Sequence, residues 1–96
     1  MAIFFMFGKY SQNALKDASP QRTRDVDLLV ARFQGTIKDK YVLLGDSDLV
    51  LIVDLPSIED AIKVSSSLTL STGISFRTSP AIPVNDFDIY VQVGGA

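Results

Sequence analysis

The stretch Leu49-Val50-Leu51-Ile52-Val53 is apolar at every position, and so is Ala2-Ile3-Phe4-Phe5-Met6-Phe7 near the start of the chain. A strand with one wet face alternates apolar and polar residues. A run without alternation reads as a strand buried on both faces, although runs this short leave a helix possible. Two such runs predict the two central strands of a sheet, and the rest of the chain can be placed around them.

Directly upstream of Leu49, Gly45-Asp46-Ser47-Asp48 has the composition of a turn. Before it, Thr36 to Leu44 reads as a strand in two halves, charged at Lys38-Asp39-Lys40 and apolar from Tyr41 to Leu44. The two strands flanking the turn form a predicted hairpin. Downstream, Pro56 stops the strand, and Ser57 with Asp60 has the spacing of a capping box. The helix that follows places Ile58, Ala61, Ile62, Ser65 and Leu68 along one face, and Gly73 ends it. Ile74 to Thr78 alternates as a half-buried strand does. Pro80 and Pro83 confine the next residues to an edge or a bend. Asn85 is the expected cap of a last short helix carrying Phe87 and Tyr90, with Val91 to Ala96 fraying or packing on a neighbour.

After the first strand, Gly8-Lys9-Tyr10 leads out, and Ser11 caps a short helical turn before Ala18. The main helix opens at Ser19-Pro20, a good N-cap followed by proline at the first helical position, where a missing N–H is harmless. Val26, Leu29, Val30 and Phe33 recur with helical spacing and form its buried stripe; Gly35 is the expected left-handed stop. The order is therefore β-α-β-β-α-β. Right-handed crossovers turn this order into an α+β, ferredoxin-like antiparallel sheet with strand order 4-1-3-2 and helices on one face. The two fully apolar strands then lie in the centre. Lys38, Lys40, Arg77 and the prolines fall on edge strands, which tolerate them.

The chain has 96 residues, the size of a single domain spanning 1–96. A core of this size is modest, and small domains often draw on disulfides, metals or partners. Cysteine and histidine are both absent, which removes disulfides and the usual nitrogen and thiolate ligands. No metal, haem or other cofactor is expected, and self-association is left as the supplement. Hydrophobic residues make up 47% of the chain. Two helices cover only one face of a sheet whose central strands are apolar on both, so a second copy is expected on the other face, as a homodimer or larger. The net charge of −2 and scattered lysines and arginines argue against nucleic acid as a partner. Met1 to Phe7 has no basic n-region or cleavage site and is too short to span a membrane; no membrane partner and a cytoplasmic location are expected.

The sequence resembles the GYD domain family. The resemblance rests on Gly8-Lys9-Tyr10 after the first strand, Ser19-Pro20 opening the main helix, Gly35 before the second strand, and Leu44-Gly45-Asp46-Ser47-Asp48 before an apolar strand. Gly45 and Asp48 fit the outer positions of the family's namesake tripeptide. Ser47 stands where its tyrosine would be, with Asp46 an extra loop residue. The resemblance implies a dimeric α/β barrel of ferredoxin-like halves and supplies no catalytic residue. Related barrels include cofactor-free oxygenases, haem proteins, isomerases and ligand-sensing modules.

No triad can form around Ser47 without histidine. Asp46 and Asp48 lack the flanking ligands of a calcium loop, and Gly8-Lys9-Tyr10 lacks the Walker spacing. Three side chains remain as candidate ligand contacts: Tyr10, as an amphipathic ring able to line a cleft between sheet and helices, and Tyr41 and Arg77, as polar groups among apolar strand neighbours. Each also has a plain structural alternative in ring packing, pairing with Asp39 or Asp88, or solvation. Two functions stay open. One is a non-catalytic module that binds a small molecule or stabilises a partner. The other is a cofactor-independent enzyme, of oxygenase or isomerase type, with a cleft between sheet and helices.

Overall fold

In the computed structural model, which describes residues 1–95, four antiparallel strands form one sheet. They are β1 (Ala2–Tyr10), β2 (Thr36–Val42), β3 (Leu49–Leu55) and β4 (Ile74–Ala81). The helices are α1 (Gln12–Lys16), α2 (Pro20–Arg32), α3 (Ile58–Thr72) and α4 (Val84–Gly95). The sheet runs β2-β3-β1-β4, which is 4-1-3-2 counted from the other edge. The two uninterrupted apolar runs therefore occupy the centre, each with a strand paired on either side.

Alternation divides each central strand between two environments. Phe4 and Met6 on β1 and Leu51, Val53 and Leu55 on β3 are buried against Leu29 and Val30 of α2 and Ala61, Val64 and Leu68 of α3. The intervening residues Ile3, Phe5 and Phe7, with Ile52 beside them, point to the opposite face and are only half-buried. There the Phe5 and Phe7 rings lie 6.3 Å apart. Register places Phe5 opposite Ile52 and Phe7 opposite Val50, so this second face is a continuous apolar strip.

The helix starts follow the local chemistry of the sequence. Ser19 Oγ accepts the Arg22 N–H at 3.0 Å, with Pro20 in the first turn of α2. Ser11 Oγ accepts the Ala14 N–H at 3.0 Å. Ser57 Oγ accepts the Asp60 N–H at 3.2 Å and donates its own proton to Asp60 Oδ2 at 2.8 Å. Gly73, at φ 77°, closes α3 in the left-handed conformation.

Several expected boundaries move. β1 does not stop at Phe7 but pairs through Gly8 and Tyr10, because β4 runs beside it as far as Ile74. The second strand ends at Val42 instead of Leu44, since β3 begins opposite it at Leu49. β4 continues through Pro80 to Ala81; on an edge strand a missing N–H is tolerated. At the end of α2 the left-handed residue is Gln34, at φ 63°, and not Gly35. Gly35 N–H instead returns to the Val30 carbonyl at 3.1 Å. A Cβ at Gly35 would sit 2.4 Å from Leu55 Cδ2 and 2.9 Å from the Asp54 carbonyl oxygen, so glycine is required there by close approach. The buried stripe of α3 is Ala61, Val64 and Leu68, whereas Ile58 and Ile62 are 60% and 62% exposed. The last helix starts at Val84, ahead of Asn85, with the Pro83 carbonyl accepting N–H groups from Asp86 and Phe87. It also includes Val91 to Gly95, part of the stretch expected to fray or to pack on a neighbour; Ala96 lies outside the described residues. No helix among the described residues is long and apolar enough to cross a membrane.

Candidate functional site

The end of β1 and the turn before β3 are far apart in sequence and joined in space. Asp48 Oδ2 accepts the Tyr10 N–H at 3.0 Å, and the Asp48 N–H donates to the Gly8 carbonyl at 2.9 Å. Lys9 Nζ donates to the Asp46 carbonyl at 2.9 Å. Gly8-Lys9-Tyr10 and Gly45-Asp46-Ser47-Asp48 are thus one structural unit. Its hydrogen bonds use the Lys9 ammonium, the Asp46 carbonyl and the Asp48 carboxylate to anchor a loop on a strand.

Beside this unit a cleft opens between α2 and the sheet. Val26, Leu49, Leu51, Ile74 and Phe76 form apolar walls, while Tyr10, Arg22, Thr23, Lys40 and Tyr41 contribute polar atoms. Its volume of about 170 Å³ is below the roughly 300–1,000 Å³ of pockets for drug-sized molecules, which restricts an occupant to a small metabolite. Gly8 contributes by having no side chain, since a Cβ there would meet Ile74 Cγ2 and Phe76 Cε1, both at 2.9 Å. The Phe76 ring therefore lies close over β1 and closes one wall.

The cations at the cleft are held. The Arg22 guanidinium carbon stands 5.8 Å from the centre of the Tyr10 ring, within cation–π range. One guanidinium nitrogen donates to the Ala14 carbonyl, which leaves further N–H groups of the fork unassigned. Lys40 Nζ is 3.1 Å from Asp27 on α2, a pair that ties the edge strand to the helix over the cleft. Half-exposed ion pairs of this kind add little stability, so the bridge is better regarded as a positioning contact.

The structure brings Tyr10 and Tyr41 to the same cleft and leaves Arg77 out of it. Arg77 pairs with Phe7 across β1 and β4 and is exposed on the opposite face, where it lines a separate pocket of about 380 Å³ with Phe7, Lys9, Asp46 and Ser47. Arg22 and Lys40 were not singled out from sequence. Arg22 lies three residues after the Ser19 cap, which fixes it in the first turn of α2 facing β1. Lys40 alternates with Asp39 on β2 and so turns toward α2; that signal was present but needed the strand register.

No curated protein matches the sequence. Among solved structures, the chain is similar to the leucine response regulatory protein of Mycobacterium tuberculosis, with a TM-score of 0.57 and 11% identity over 85% of this chain and 51% of that one. It is also similar to an AsnC family transcriptional regulator from Agrobacterium tumefaciens, with a TM-score of 0.56 and 17% identity over 85% of this chain and 50% of that one. At this identity the likeness concerns the fold, and the chain spans about half the length of either regulator. The GYD domain model matches residues 4–91, across all four strands and α1 to α3, and the chain belongs to the GYD domain family.

Proposed function

We propose that this chain is a homo-oligomeric small-molecule-binding module, with the ligand in the cleft between α2 and the sheet. The observation that carries the reading is the combination at that cleft of apolar walls with the Arg22 guanidinium stacked beside Tyr10. An apolar body would sit against Leu51, Ile74 and Phe76, and an anionic or carbonyl head would take the remaining Arg22 donors. The structural neighbours support this reading, since both are named as regulators and one as leucine-responsive.

Assembly belongs to the same proposal. The face bearing Ile3, Phe5, Phe7 and Ile52 lies opposite the one that α2 and α3 cover and is only half-buried, and a second sheet packed there would complete a dimeric α/β barrel. Arg77 and Lys9 would then sit at the rim of the interface. Stable interfaces bury roughly 800 Å² per partner, an area that a four-stranded sheet face supplies. Light scattering should report at least a dimer at micromolar concentration, and a stable compact monomer would refute that half of the proposal. The binding half is tested by calorimetric titration with small branched and aromatic carboxylates. At least one should bind the native protein, and Arg22→Ala should remove the heat; native protein silent toward the whole panel, or undiminished binding by Arg22→Ala, would reject the cleft.

A further inference from the structure

α4 has no core of its own. Val84, Phe87, Ile89, Tyr90, Val91 and Val93 are all exposed, each by half or more. At helical spacing Val84, Phe87, Tyr90 and Val91 form one broad stripe, and Ile89 and Val93 a second. A helix apolar on most of its circumference is normally a buried one. Its residues are also poor helix formers, with β-branched and aromatic side chains, two glycines, and no Ala, Leu, Glu, Lys or Arg. An isolated helix of this length is marginal in water even with favourable residues. Packing against something must therefore hold it.

The same chain carries an unfilled apolar groove. Phe4, Ile58, Ala61, Ile62, Ser65 and Thr78 line a cavity of about 260 Å³ between α3 and β4. Ile58 and Ile62, one helical turn apart, stand exposed along it. The Thr78 hydroxyl is buried there without a hydrogen-bond partner.

We infer that α4 docks into the α3–β4 groove of a second copy of this chain, reciprocally about a two-fold axis. Only Ile82 and Pro83 separate β4 from α4, and the molecule measures 52 Å along its longest axis against 18 Å along its shortest. The helix thus extends as an arm instead of turning back on its own groove, and short connectors of this kind favour exchange between copies. The charges on α4 are Asp86 and Asp88; on α3, Lys63, next to Ile62, has no salt-bridge partner among the described residues and is the group able to meet them, while Glu59 and Asp60 hold the first turn at the other end of the groove. The exposed apolar side chains of each arm, with Ile58 and Ile62 of each groove, are the surface such a contact would bury, against the roughly 800 Å² per partner of a stable interface.

Because the chain has no cysteine, engineered thiols read this contact directly. Full-length Ile62→Cys and isotope-labelled Phe87→Cys proteins, each checked for native circular dichroism, are mixed and oxidised. The mixed disulfide, identified by mass, should exceed that of an Ile62→Cys and Gln21→Cys control at least roughly tenfold, because docked thiols meet at a high effective concentration. A mixed product no greater than the control overturns the inference. So does a dilute Ile62→Cys/Phe87→Cys double variant that closes within one chain, which would mean that the arm folds back on its own groove. The cross-link reports the arm alone, whatever the outcome for the sheet-face dimer or the ligand cleft.

Discussion

Asp48 Oδ2 accepts the backbone N–H of Tyr10 at 3.0 Å, across 38 positions of sequence. This bond ends β1 and orients the residue whose ring carries the Arg22 guanidinium. A hydrogen bond to a carboxylate contributes more than one between neutral groups, and leaving a partly buried N–H unpaired adds to the loss. Asp48→Ala is expected to cost about 2 kcal/mol in a denaturant melt. Asp48→Asn, which keeps an acceptor, should recover at least half of that. Equal losses from the two variants would show that the N–H is satisfied in another way.

Ser19→Ala removes the acceptor for the Arg22 N–H. The expected loss is about 1 kcal/mol, measured as a lower denaturant midpoint with an unchanged slope. Ligand binding in the α2 cleft should persist, because Leu29 and Val30 still dock the helix. Unchanged stability with lost binding would make the loop before α2 part of the site.

Gly35→Ala should be more damaging than its size suggests. The added methyl would press on Leu55 Cδ2 and the Asp54 carbonyl, and backbone cannot step aside as a flexible side chain can. Overpacking of this kind costs about 1–3 kcal/mol. Thermal unfolding should show a clear drop, while Gly45→Ala, at a turn with open space but φ 126°, tests backbone strain alone. A tolerated Gly35→Ala would mean that α2 and β3 can separate at this crossing.

Arg77→Ala should change the stability of the subunit by less than about 0.5 kcal/mol, as is usual for exposed positions. Its effect on cleft binding should be nil, since Arg77 lies on the other face of the sheet. A weakened oligomer is the expected outcome if the sheet faces meet. Titration calorimetry and light scattering on one preparation separate the two effects, and lost binding in an intact oligomer would return Arg77 to the ligand site.

The order of strands and helices, the central position of the two apolar runs and the serine caps of α1, α2 and α3 were all determined by sequence alone. They depend on local rules: a hydroxyl reaches an N–H three residues on, and an unbroken apolar run needs cover on both faces. The stripe Val26, Leu29, Val30 and Phe33 of α2 was also legible from spacing, but other choices between neighbours on one element needed tertiary structure. Ile62 and Val64 are both plausible core residues of α3 by spacing, and the docking angle on the sheet buried Val64. Gly35 and Gln34 could each have ended α2; the closeness of Leu55 assigned glycine to the contact and left the positive φ to Gln34. Register also sent Arg77 to one face and Lys40 to the other, because a strand's side chains reverse with each residue. The cleft joining Tyr10, Arg22 and Lys40 therefore exists only once five separate elements have packed.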